Sequence, residues 1–237
     1  MTSGGLETPR PDDAKLLAPR WHTALLVGLL LVVAVSGTWL TARNPATLAA
    51  PESGSRITSV YLPMILVAWG LVLFACRLGR RRLELWSLLG RRWTSFSRAA
   101  TDLVLASTGF LLIEGVEMAF ARPLGPGHSA ATVALLPHGA AERLAWLVVA
   151  VSAGFCEEVV YRGYLQTQLS AFTRRASLGV VLQAALFGMA HLQQGTATAA
   201  RFTLYGVGLG ALATWRRSLL PGIVCHVAID VVSGMLS

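Results

Sequence analysis

The chain has 237 residues, 54% of them hydrophobic and only 14% charged, and a net charge of +8. It is too apolar for a water-soluble domain of that length, so the expectation is an all-α membrane protein, a polytopic helical bundle of about seven transmembrane helices. Nineteen of the twenty basic residues are arginines, but they sit between apolar runs instead of forming one stripe with interleaved aromatics, which argues for bilayer-orienting loops and against nucleic acid as a partner.

Residues 1–20 are polar, with Pro9, Pro11, Pro19, Arg10, Lys15 and Arg20. That composition predicts a disordered tail, placed in the cytoplasm by its basic residues. The uncharged run Trp21 to Ala42 is too long for the apolar region of a signal peptide and lacks a convincing small-x-small cleavage site. It is expected to be retained as the first membrane helix. Asn44 to Ser55, with Pro45, Pro51 and Gly54, reads as a loop. Ile57 to Cys76 is the second span.

Behind it come Arg77, Arg80, Arg81, Arg82, Arg91, Arg92 and Arg98, with Glu84 the only acid among them. An arginine-rich loop over 77–98 is the strongest topological marker in the chain and is expected in the cytoplasm. Leu83, Leu85, Trp86, Leu88 and Leu89 interrupt the arginines, so the loop is either an amphipathic helix lying on anionic headgroups or a plain solvated segment.

The third span runs from about Ala99 to Phe120. Glu114 and Glu117 share one of its faces, where they either line a polar cavity or reach water at the helix end. Arg122 to Gly139 is a loop, and its His128 and His138 are expected at the surface. Ala141 to Phe172 then reads as one long helix, longer than the hydrocarbon core of about 30 Å requires. Arg174 and Arg175 close it. Ala176 to Gln193, Thr198 to Trp215 and Ser218 to Ser237 are the fifth, sixth and seventh spans, with Arg216 and Arg217 after the sixth. The basic clusters thus fall in alternate loops, with the N-terminus inside. Gly206 and Gly210 form a G-x-x-x-G pair suited to close helix packing; the run is not a phosphate loop, since no strand precedes it.

Ionisable groups at membrane depth are costly and usually functional. The long fourth span carries Phe155-Cys156-Glu157-Glu158-Val159-Val160-Tyr161-Arg162. Glu158 and Arg162 stand four apart, acid first, the favourable order for an intrahelical ion pair. Glu157 is about 100° further round and is left for chemistry. A structural salt-bridge knot is the competing account. Cys156, like Cys76 and Cys225, sits in apolar sequence without metal-type spacing, which suits a packed thiol better than a nucleophile.

The fifth span carries Phe187 and His191, and the seventh His226 and Asp230, each pair four apart and so on one face. Asp230 can hydrogen-bond His226 or act beside it, while Phe187 can hold the His191 ring or contact substrate. Three helices each bearing an acid or a histidine imply a shared cavity. In one use of such a set, Glu157 and a histidine deprotonate a water that attacks an amide and the other histidine stabilises the oxyanion. In another, the histidines and Glu157 bind zinc, although no H-E-x-x-H pair is present. A serine hydrolase is disfavoured, because neither Ser152 nor Ser233 has a nucleophile-elbow context.

In this order, Glu157-Glu158-x-x-x-Arg162, Phe187-x-x-x-His191 and His226-x-x-x-Asp230 resemble the CPBP family of intramembrane proteases. The family includes CAAX prenyl endopeptidases of the Rce1 type and bacterial Abi proteins of bacteriocin processing and self-immunity. The resemblance covers residues 141–237 and implies a catalytic membrane core there, preceded by variable helices over 21–140. It implies that Glu157 with His191 activates water, that His226 with the last motif residue forms the oxyanion site, and that Glu158 and Arg162 support the first helix. Members are described as glutamic proteases without a cofactor, although an older view made them metalloproteases. The last motif often ends in asparagine, where this chain has Asp230. The implied function is an endopeptidase acting on a membrane-associated protein or peptide, at its C-terminus or leader, in a bacterial cytoplasmic membrane. A non-catalytic immunity or partner protein is the alternative from another class.

Overall fold

The computed structural model describes residues 16–43, 56–77, 85–124 and 130–236. The tail before Leu16, the loop Asn44 to Ser55, Arg80 to Arg82 with Glu84, and His128 lie outside the described residues, as does the Glu117 side chain. The described chain is helical, and its only strand-like pairing is an isolated antiparallel bridge between Gly90 and Ser218.

The helices are α1 (Arg20–Arg43), α2 (Leu62–Arg77), α3 (Leu85–Leu89), α4 (Phe96–Leu124), α5 (Ala130–Leu135), α6 (Gly139–Glu157), α7 (Gln166–Thr173), α8 (Ala176–Met189), α9 (Thr196–Arg216) and α10 (Leu220–Met235). π-helical turns precede α2 (Ile57–Tyr61) and join α6 to α7 (Glu158–Leu165), and a 3-10 turn (Leu192–Gln194) leads into α9. The protein is thus a polytopic all-α bundle. Four stretches among the described residues are long and apolar enough to cross a membrane: Arg20–Trp39, Ile57–Arg77, Phe96–Val116 and Gly139–Thr173. They match the first four expected spans.

The last three expected spans are built differently. Helix α8 has 14 residues, about 21 Å, and α10 has 16, about 24 Å, both short of a hydrocarbon core. The fifth span therefore ends at Met189, not Gln193, and His191 lies in the break before Gly195, whose φ of 108° only glycine adopts readily. Helix α9 packs on α8 through Gly206 and Gly210. A Cβ on Gly206 would come within 2.8 Å of Ala184 Cα, and one on Gly210 within 2.6 Å of Gln183 Nε2.

The start of α10 is also displaced. Arg91 N donates to Arg217 O (2.8 Å) and Leu219 N to Leu89 O (3.0 Å), binding the turn after α3 to the turn after α9. Gly163 lies against Leu88 and Leu219. Since Gly163 is ten residues short of Thr173, Leu88 and Leu219 reach about 15 Å in from that end of the helix, and α10 starts beside them. One cavity is lined by Leu17, Gly90, Ala176 and Arg217, which puts the described parts of the basic stretches, around Arg20, Arg91, Arg175 and Arg217, at one end of the bundle. At the other end Arg56 pairs with Glu142 (2.9 Å) and donates to Leu136 O (2.8 Å), fastening α6 to the turn before α2. His138 is exposed there, as expected.

Candidate active site

All eight residues from Glu158 to Leu165 are buried, and the backbone around them is π-helical. Such wide turns occur often at functional sites, because they re-aim side chains that an α-helix would place elsewhere. The Glu158–Arg162 ion pair survives the change: Arg162 Nη1 stands 2.9 Å from Glu158 Oε1, both side chains being 0% exposed. That oxygen also accepts a hydrogen bond from His226 Nδ1 at 3.0 Å. Glu158 Oε2 makes no hydrogen bond. It faces Gly222, where a Cβ would stand 3.0 Å away, so the glycine makes room for the carboxylate.

With Nδ1 held by Glu158, His226 turns Nε2 to the other two acids. Glu157 Oε2 lies 3.7 Å from it and Asp230 Oδ2 3.8 Å. Both separations exceed a formed hydrogen bond. Glu157 and Asp230 keep 29% and 25% of their side chains exposed while Glu158 keeps none, so the first two border open space and Glu158 stands behind the imidazole.

His191 approaches from another side. Its Nδ1 bonds Phe187 O at 2.8 Å, necessarily as an N–H donor, which leaves an Nε2 lone pair in the neutral ring. The ring stacks on Phe202, centroids 3.9 Å apart and planes within 3°. Phe187 is 1% exposed. Around it stand the Arg162 guanidinium (4.4 Å to the ring centroid), Tyr161 (5.1 Å), His191 (4.9 Å) and His226 (5.9 Å). Phe187 is the hub of the site's packing.

The structure thus brings Glu157, Glu158, Arg162, His226 and Asp230 into one network, and joins His191 to it through Phe187. Within 4 Å the partner of Glu157 is His226, not His191. Several contributors carry no polar signal in the sequence. Gly154 lets α10 close on α6, since a Cβ there would meet Val227 N at 2.9 Å. Trp146 Nε1 donates to Asp230 O at 2.8 Å, and Phe202 backs His191. Cys156 is 1% exposed within the main apolar core, and Ser152 Oγ accepts from Trp69 Nε1 at 3.3 Å. Among the described residues no three or more His, Cys, Asp or Glu side chains are arranged to hold a metal ion.

A bundle with this buried carboxylate–histidine network belongs to the class of polytopic membrane proteins with a polar site between helices. Residues 139–232, which contain all three motifs, match the family model of type II CAAX prenyl endopeptidase Rce1-like proteins. It is the family that the motifs resemble, and the match covers about two fifths of the chain. No match emerged among curated proteins or solved structures.

Proposed function

We propose that this chain is an intramembrane endopeptidase that hydrolyses a peptide bond of a membrane-associated protein or peptide, in C-terminal or leader processing. The carrying observation is the single imidazole, His226, flanked at Nε2 by Glu157 and Asp230 and tethered at Nδ1 by Glu158. Glu157 is the general base: a water beside it gives a proton to the carboxylate and adds to the carbonyl carbon. The carbon–nitrogen bond then breaks as Glu157 returns the proton to the leaving amine. The Nε2 lone pair of His191 accepts a hydrogen bond from the water's second hydrogen, which stays on the oxygen. His226, doubly protonated among three carboxylates, donates Nε2–H to the oxyanion. Asp230 orients His226 and is not the oxyanion donor, because an ionised carboxylate has no proton to give. Phe187, enclosed on all sides, holds the histidines and Arg162 in place and does not touch substrate.

The reaction as proposed needs no metal. The setting is a bacterial cytoplasmic membrane, with the arginine-bearing end inside. The test is cleavage of a library of membrane-anchored peptides by the purified protein in vesicles. Glu157→Gln should lower the rate by at least about a hundredfold while the protein stays folded and inserted. A fully active glutamine variant overturns the proposal. Activity should survive chelators, and stoichiometric zinc in purified active protein would overturn the metal-free mechanism.

A further inference from the structure

The two turns bound together beside the site carry more cationic and aromatic surface than their pairing needs. Arg91, Arg92, Arg98 and Arg217 are exposed, and so are Trp86, Trp93, Trp215 and Phe96. The Arg92 guanidinium lies over the Trp86 ring at 5.6 Å and that of Arg216 over Trp215 at 6.0 Å, at the edge of cation–π range. Among the described residues the nearby carboxylate, Asp102, is buried and already engaged, 2.7 Å from Arg216 Nη2 and accepting from Trp93 Nε1 at 2.9 Å. It fixes the platform without neutralising its open face. Beside the turns lies a cavity of about 270 Å³, lined in part by Ser87, Gly90, Arg162, Ser170, Arg217 and Ser218, and among the described residues by no carboxylate.

Leu88 and Leu89 are buried in the core while Trp86 faces out. The result is a rigid clip with its leucines in the bundle and its arginines and tryptophans at the rim. Tryptophan belongs at the membrane–water interface, where anionic headgroups attract arginine.

We propose that the paired turns form a binding surface for the phosphate headgroups of anionic lipids, with the exposed arginines as its cations and the cavity beside Arg217 as the recess for a headgroup. Charge complementarity and aromatic anchoring select a lipid over a soluble anion. Headgroup binding here does not require any peptidase activity. It also bears on it mechanically, because α10 starts at Leu220, directly after the bound turn, and carries His226 less than two turns further on.

The test is tryptophan quenching in vesicles of phosphatidylcholine and phosphatidylglycerol of one fixed composition, with bromine on the chains of one lipid or the other. Bromine on phosphatidylglycerol should quench more strongly. Substituting Arg91→Gln, Arg92→Gln and Arg217→Gln should lower the preference, by roughly fivefold per arginine. These changes spare the pairing, which uses the backbone of residues 91 and 217. Arg92→Gln alone, outside that pairing, should lower it as well, so a folding defect in the triple variant leaves the question decidable. Equal quenching by the two lipids, or an unchanged preference in Arg92→Gln, overturns the proposal. So does loss of the preference to millimolar inorganic phosphate at constant ionic strength, which would make this a soluble-anion site.

Discussion

Glu158 and Arg162 belong to the same network as Glu157 and are opposite to it in exposure. Their pair has no access to solvent, so removing one partner strands the other. Arg162→Met should cost about 3 kcal/mol, the low end for a broken buried pair because His226 still donates to the same oxygen. Thermal unfolding in detergent should show it as a lowered midpoint, with the Glu158→Gln/Arg162→Met double variant closer to wild type. Equal midpoints for the single variant and wild type would mean the pair contributes nothing. The four-residue spacing was enough to foresee this pair, because neighbours on a helical face are set by local geometry. The choice of His226 over His191 as the neighbour of Glu157 was not legible. It depends on where α8 stops and α10 starts.

The segment from Glu158 to Leu165 shows why an element's type can escape its sequence. Periodicity is readable only when one face meets water or lipid and another meets the core, and here every residue is buried. A π-helix and an α-helix then look alike. The close approach of α10 to α6 at Gly154 is likewise silent in the sequence, where one glycine among apolar residues has no distinctive pattern. A valine at this position would overlap the Val227 backbone and side chain. Gly154→Val should thus push His226 away from Glu157, cutting cleavage at least tenfold and lowering the unfolding midpoint. Gly208→Ala, which meets open space, is the control expected to do neither.

Across the whole bundle, the described parts of the basic stretches gather at one end although they lie far apart in sequence. Single cysteines at position 175 and position 138, in a background without Cys76, Cys156 and Cys225, should react with a membrane-impermeant thiol reagent from opposite sides of sealed vesicles. Labelling of both from one side would break the topology. This arrangement also answers how histidines near opposite ends of their expected spans come to share a site. Helix α8 stops short before the Gly195 break, and α10 begins beside Leu88 and Leu219, about 15 Å in from the end of the long helix, on the clip formed with the turn after α3.

Composition alone determined that this is a membrane bundle, because burying so few charges and so much apolar surface leaves no other solvent to fold in. Local spacing determined the Glu158–Arg162 pair and the acidic and histidine faces, since those follow from helix geometry within one turn. Only the tertiary structure decided which imidazole meets Glu157, where the helix widens, and how deep α10 starts. Those depend on contacts between segments distant in the chain, such as Leu88 and Leu219 on Gly163, and no local pattern encodes the depth at which two helices end.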